Sequence, residues 1–135
     1  MAQKTESYVD TGAFIAFLDK SDSFHHLFKR LFSDPDKLVT SSLVISEAHG
    51  WFLRRYDAYK AQQFLLFLDD LNIISILAFG SAEIIKAKIQ LNKYQDQSLT
   101  LADAHGLSII KERKIRNCWS VDRHFKLSGC RLVIE

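Results

Sequence analysis

Short apolar runs alternate along the chain with longer stretches of helical periodicity. Ser7 to Asp10 reads as a strand, and a helix starts at Thr11 or Gly12 and runs to about Leu18, with Phe14, Phe17 and Leu18 at helical spacing. Asp19 to Asp22 is a break in which Ser21 or Asp22 suits a helix cap. The next helix covers about Ser23 to Phe32, with Phe24, Leu27, Phe28, Leu31 and Phe32 as its stripe. A turn at Ser33-Asp34-Pro35-Asp36 leads to a strand at Leu38 to Ser41, and Ser41 or Ser42 caps a helix from about Leu43 to Tyr56. A further helix spans about Ala58 to Leu71. Its apolar residues Phe64, Leu65, Phe67, Leu68 and Leu71 cover more than one face, which predicts burial on two sides, one of them a candidate subunit interface.

The second half repeats the alternation. Ile73 to Leu77 is a β-branched strand, Ser81 to about Tyr94 a helix, and Tyr94 to Ser98 a polar loop. Leu101 to about Arg113 is helical, Asn117 to Val121 is a strand ending at Asp122, and Arg131 to Ile134 closes the sheet. Strands that alternate with helices imply a central parallel sheet with helices on both faces, because each right-handed crossover lays a helix on one face. The expected fold class is therefore α/β, a three-layer α/β/α arrangement around a parallel sheet of four to five strands.

Composition narrows this only a little. The chain has 135 residues, and a hydrophobic content of 47% is enough for one compact core. There is no low-complexity tract, repeat or linker-like stretch, so residues 1–135 are expected to form a single domain. A formal charge of +2 neither requires nor opposes a nucleic-acid partner. Cys118 and Cys130 are too few for a disulfide framework or a structural zinc site, and both read as buried free thiols in a reducing compartment. The first six residues lack the apolar core of a secretion signal, and no apolar run reaches the roughly 18 residues of a membrane span. The expectation is a cytoplasmic protein with no membrane partner.

Four acids carry the candidate chemistry. Asp10, Glu47, Asp103 and Asp122 each follow or sit within an apolar stretch: Tyr8-Val9-Asp10, Val44-Ile45-Ser46-Glu47, Leu99-Thr100-Leu101-Ala102-Asp103 and Trp119-Ser120-Val121-Asp122. Asp10 and Asp122 end strands, so in a parallel sheet they open on one edge, and Glu47 and Asp103 lie early in helices that can face the same edge. Each acid alone also fits a plainer role. Asp10 and Asp122 suit helix caps, and Glu47 and Asp103 suit the positive end of a helix dipole. Together they make a different case. Two unit charges 4 Å apart repel by about 4 kcal/mol at an effective dielectric of 20, so a cluster of four raises pKa values or takes up a cation. Oxygen donors favour Mg²⁺ or Mn²⁺.

In order along the chain, these segments resemble the motifs of the PIN-domain family, which includes the VapC-type toxins of bacterial toxin–antitoxin pairs. Val9-Asp10-Thr11-Gly12-Ala13 resembles its opening strand-and-acid motif, and Ser46-Glu47-Ala48 its helical glutamate motif. Asp96 to Ala104, with Asp103 as the matching acid, is the most specific piece, and Ser120-Val121-Asp122-Arg123-His124-Phe125 resembles the final motif. The resemblance covers nearly the whole chain. It implies a PIN-like fold and a metal-dependent endoribonuclease, the toxin half of a pair. Asp10, Asp103 and Asp122 would hold Mg²⁺ or Mn²⁺, and Glu47 would help with that ion or a second one and position the attacking water. Thr11 and Ser120 would support the acids or touch phosphate; the alternatives are a helix cap and a strand-end hydroxyl. An RNA substrate, a small antitoxin whose tail occupies the acidic site, and a homodimer are the implied partners. Asp96 is a fifth acid nearby, for which a structural or capping role is expected.

Basic residues have two readings throughout. Lys111, Arg113, Lys114 and Arg116, the pair Arg54 and Arg55, and Arg123 with Lys126 could contact RNA phosphates. Cations near a helix C-terminus are favourable in any case. Arg123, next to an expected metal ligand, has the better claim to phosphate. His-Glu-x-x-His is absent. His25, His26, His49, His105 and His124 read as surface or packing residues, with His124 the one candidate substrate contact. Trp51, Trp119 and the ten phenylalanines read as core. Two competing functions stand beside the nuclease. One is a PIN-like RNA- or protein-binding module without catalysis, which the full set of four acids disfavours. The other is a response-regulator receiver domain, which wants an acidic pair after the first strand and a late strand-end lysine; here Asp10 is followed by Thr11 and the late strand ends at Asp122.

Overall fold

The computed structural model describes residues 5–135; the stretch Met1 to Lys4, part of the segment read for a signal, lies outside the described residues. Strand β1 (Glu6–Val9) leads into helix α1 (Thr11–Leu18) and helix α2 (His25–Ser33). β2 (Lys37–Ser41) is followed by α3 (Ser42–Arg55) and α4 (Ala58–Asp70), and β3 (Ile74–Leu77) by α5 (Ser81–Lys93) and α6 (Leu101–Arg113). β4 (Asn117–Trp119) and β5 (Arg131–Leu132) complete a sheet of order β3-β2-β1-β4-β5, parallel at every pairing. This is the expected three-layer α/β/α arrangement. It differs from the 2-1-3-4-5 order of receiver domains, which removes that reading.

Strand alternation divides the core in two. Val9, Leu38 and Trp119 point to one face and pack against α1 to α4 through Phe14, Phe28, Phe52 and Phe64. Their neighbours Tyr8, Val39 and Cys118 point to the other face and meet Leu107, Ile110 and Phe125. Asp19, buried at the end of α1, accepts hydrogen bonds from the Ser21 N–H (3.0 Å), the Ser21 hydroxyl (2.6 Å) and the Tyr56 hydroxyl (2.8 Å). These hydrogen bonds hold its carboxyl below the usual range in spite of burial, and they tie α1 to the end of α3. Gly106 sets how closely α6 approaches the sheet. A Cβ there would lie 2.6 Å from Tyr8 Oη and 2.7 Å from Phe125 Cε1, so only glycine permits the contact.

Several boundaries differ from expectation. α2 starts at His25 rather than Ser23, because the Asp22 carboxylate accepts the Phe24 N–H (2.8 Å) and keeps that stretch in a turn. β4 ends at Trp119 rather than Val121, so Asp122 stands three residues beyond the strand and opens a 3₁₀ turn, Arg123–Ser128. The strand stops where Ser120 turns its hydroxyl to Asp10 and accepts the Asp122 N–H (2.9 Å). α4 buries Ala61 and Phe64, whereas Leu65 and Leu66 are exposed, so its second apolar side has no cover among the described residues. Both cysteines are buried and free.

Candidate functional site

The chain leaves β1 for β2 on one side and passes from β4 to β5 on the other. The carboxyl ends of β1 and β4 therefore border the switch point, where open α/β sheets form a crevice. Asp10 follows β1 directly, and its N–H bonds Trp119 O of β4 at 3.0 Å. Its carboxylate makes no capping bond to α1. Instead Oδ2 accepts the Ser120 hydroxyl at 3.0 Å. Ser120 is fully buried and joins the two strand ends, since the same hydroxyl accepts the Asp122 N–H. The Thr40 hydroxyl, donated to Val9 O at 2.6 Å, holds β1 from the β2 side.

The other acids come from three further segments. Asp103 lies in the first turn of α6 and forms a capping box with Thr100: the Asp103 N–H donates to Thr100 Oγ1 (3.1 Å), and the Thr100 N–H donates to Asp103 Oδ2 (3.0 Å). Asp122 caps the 3₁₀ turn by accepting the His124 N–H at 2.9 Å. Glu47 stands on the exposed side of α3. The plainer roles expected for Asp103 and Asp122 are thus real, and each carboxylate still keeps acceptor capacity.

Electrostatics couple Asp10 and Glu47 each to Asp103 and Asp122. Burial, reinforced by Asp103 and Asp122, pushes the Asp10 carboxyl up to about 7 against the pull of the Thr11 N–H and the Ser120 hydroxyl. Desolvation and then Asp103, with a smaller push from Asp122, raise Glu47; the Thr11 hydroxyl works the other way. Thr11 Oγ1 is close enough to act on Glu47 yet is buried with no hydrogen-bond partner. No lysine or arginine pairs with any of these acids among the described residues.

The structure adds one residue to this group. His124 Nδ1 lies 3.0 Å from Asp122 Oδ1 and 4.0 Å from Asp103 Oδ2, and the three side chains together could hold a metal ion. Nδ1 is buried without an aligned hydrogen bond, despite that proximity. Sequence reasoning read His124 as a surface residue with at most a substrate contact. The usable signal was its place two residues after Asp122, in a turn that folds it back over that carboxylate.

Other candidates fall outside the cluster. Arg123 is exposed and makes no ion pair among the described residues. Asp96 is exposed in a 3₁₀ turn, next to Gln97. His105 is a packing residue as expected, buried against Phe79 and hydrogen-bonded through Nδ1 to Ser41 Oγ at 2.6 Å. His25 bonds Ala16 O in the same way at 2.8 Å.

A parallel α/β protein with a carboxylate crevice at its switch point is the class that fold and geometry define. The PIN domain family model matches residues 7–127, and the chain belongs to that family. No curated protein matches it in sequence. Among solved structures it is similar to Mycobacterium tuberculosis VapC20, a Sarcin-Ricin loop cleaving toxin, at 21% identity and a TM-score of 0.83, covering 93% of this chain and 96% of that one. It is also similar to VapBC2 from Rickettsia felis bound to a promoter DNA fragment, at 13% identity, a TM-score of 0.64 and coverage of 95% and 97%. FitAcB from Neisseria gonorrhoeae shares 14% identity at a TM-score of 0.64, with 93% and 95% covered. At these identities the likeness is one of fold. No helix among the described residues is long and apolar enough to cross a membrane.

Proposed function

We propose that residues 1–135 form a single PIN-like domain that hydrolyses RNA phosphodiester bonds with Mg²⁺ or Mn²⁺, as the toxin of a toxin–antitoxin pair. This reading is supported by the grouping of Asp103, Asp122 and His124, with Asp10 and Glu47 coupled to those acids electrostatically and no lysine or arginine paired with any of them among the described residues. The donor set fits a hard divalent ion: carboxylate oxygens, one imidazole nitrogen, and an orphaned hydroxyl at Thr11. Asp10, Asp103 and Asp122 would hold the ion, with His124 offering a nitrogen. When bound, such an ion supplies an acidified water and neutralises charge on the phosphoryl and leaving oxygens.

The remaining roles belong to the chain's own side chains. Glu47, with its raised pKa, orients the attacking water and accepts its proton. Ser120 fixes the Asp10 carboxylate by donating to Oδ2, and Thr11 is free to donate to a water or a phosphate oxygen. Arg123, exposed one residue after Asp122, would contact a substrate phosphate. An antitoxin partner is supported by the toxin–antitoxin complexes among the similar structures. Ile85 and Ile89 on α5 and Leu66 on α4 remain exposed and offer apolar surface for that partner or for a homodimer. The cytoplasm follows as the compartment of such a toxin.

The test pairs binding with cleavage. Mn²⁺ bound to the wild type should show nitrogen modulation in pulsed electron paramagnetic resonance, lost in His124→Ala, and should support cleavage of RNA that Asp103→Asn abolishes. Mn²⁺ binding with no RNA cleavage would leave a binding module; failure to bind Mn²⁺ would remove the metal-centre reading.

A further inference from the structure

A groove of about 430 Å³ runs between α3 and the start of α6, lined by Leu43, Ser46, Glu47 and Arg54 on one side and Thr100 and Leu101 on the other. Glu47 belongs to both the groove and the acid cluster, so the groove opens from the crevice. Arg54 is its single cation. Residues 47 and 54 are seven apart on a helix and fall on nearly the same face, two turns from each other. The Arg54 side chain closes part of that gap, because helical side chains lean toward the N-terminus. It passes directly over Gly50, where an added Cβ would lie 3.0 Å from Nη1 and 3.7 Å from Cζ. The missing side chain at position 50 thus lets the guanidinium lie back along α3 toward Glu47.

Elsewhere on the chain several cations are committed, while Arg123, beside Asp122, is exposed and unpaired among the described residues. Arg113 is paired with Glu6, Lys86 with Glu112 and Lys126 with Glu135. Arg55, the next residue, lies over the Tyr56 ring at 5.3 Å. Arg54 makes no ion pair among the described residues and keeps its guanidinium donors free. A crevice of four acids repels a polyanion, so a substrate chain needs positive charge beside it to dock. The planar fork of arginine matches two phosphate oxygens at once. Leu101, exposed on the opposite wall, gives an apolar surface for a sugar or a base.

Resting on the nuclease reading above, we propose that the α3–α6 groove is the path of the RNA strand away from the acids. Arg54 grips the phosphate next to the scissile one, and Gly50 keeps that grip in line. Arg54 is then a substrate-binding residue outside the metal centre, and its loss weakens docking rather than chemistry.

The experiment measures binding and turnover on one fluorescent single-stranded RNA of mixed sequence. Arg54→Ala should raise KM and the anisotropy-derived Kd about tenfold or more with kcat unchanged. It should also lower the slope of log Kd against log salt by about 0.7, the signature of one lost phosphate contact on a single strand. Arg54→Lys should recover part of the affinity, and Gly50→Ala should weaken binding less than Arg54→Ala does. Circular dichroism confirms that each variant is folded. Unchanged Kd and salt slope in Arg54→Ala, or a fall in kcat alone, overturns the proposal. If the wild type binds RNA without cutting it, the nuclease reading fails while the Arg54 arm still decides the groove by Kd. If the wild type neither binds nor cuts RNA, both readings fail.

Discussion

Strand β1 and helix α6 meet at both ends of the sheet, and the two meetings are chemically opposite. At the amino edge, Glu6 of β1 accepts two hydrogen bonds from Arg113 at the end of α6, at 2.7 and 2.8 Å. That guanidinium holds the Glu6 carboxyl below its ordinary value. At the carboxyl edge, Asp10 and Asp103 bracket the same two elements with like charges, and burial first and then Asp103 lift Asp10 to about 7. One end spends its charges on holding the fold. The other leaves its acids without a paired lysine or arginine among the described residues, an arrangement that on the proposed function would take up a cation. Raised carboxylates grouped in a crevice support the proposed metal site.

Asp10→Asn breaks this contrast most sharply. Changes in the groups that merely support a metal ligand cost 10- to 100-fold, so loss of a ligand itself should reduce RNA cleavage by about a hundredfold or more. The same change should stabilise the metal-free protein at pH 8 by about 2–4 kcal/mol, because it removes a charge that folding desolvates. An activity assay and urea denaturation on one preparation read both effects. Cleavage that survives, or a protein that becomes less stable, would equate Asp10 with an ordinary helix-end acid.

A pH series sharpens the same point. The Asp10 carboxyl binds its proton more tightly folded than unfolded, so the folded state carries the extra proton between about pH 4 and pH 7. The Asp10 contribution to the stability of the metal-free protein is therefore fully present below that window and is lost as pH rises through it. Urea midpoints across the range measure the slope, and saturating Mn²⁺ should flatten it. Glu6 has the opposite sign. Its depressed carboxyl contributes stability that is present above the unfolded carboxylate value and lost as pH falls through the folded one.

The smallest effect belongs to the amino edge. Arg113 is partly exposed, so solvent screens the pair, and Arg113→Ala should cost about 1 kcal/mol or less with cleavage unchanged. Thermal denaturation and the RNA assay check it. A large loss of cleavage would mean that the two ends of the sheet are coupled.

The alternation of apolar runs was enough to read the three layers and nearly every element, because a two-residue period and a helical period leave different marks in sequence. The four acids were legible for a related reason. A carboxylate next to Tyr8-Val9 or Trp119-Ser120 stands out against the burial around it. Three features were not legible. Val121 is as apolar as a strand residue, so nothing local shows β4 ending at Trp119. His124 looked like any surface histidine until the 3₁₀ turn carried its ring to Asp122. Arg113, one basic residue in a run of four, gave no sign that its partner was Glu6, 107 positions away.

Local pattern alone determined which segments form strands and helices, which faces they bury, and where acids interrupt them, since each depends on neighbours a few residues apart. Only the tertiary structure decided that β1 lies between β2 and β4. That placement brings Asp10, Ser120 and Asp122 to one crevice and leaves Glu6 to Arg113 at the opposite edge. The physical reason is range. Periodicity is written in adjacent residues, whereas electrostatic partnership depends on distances that exist only once the sheet has closed.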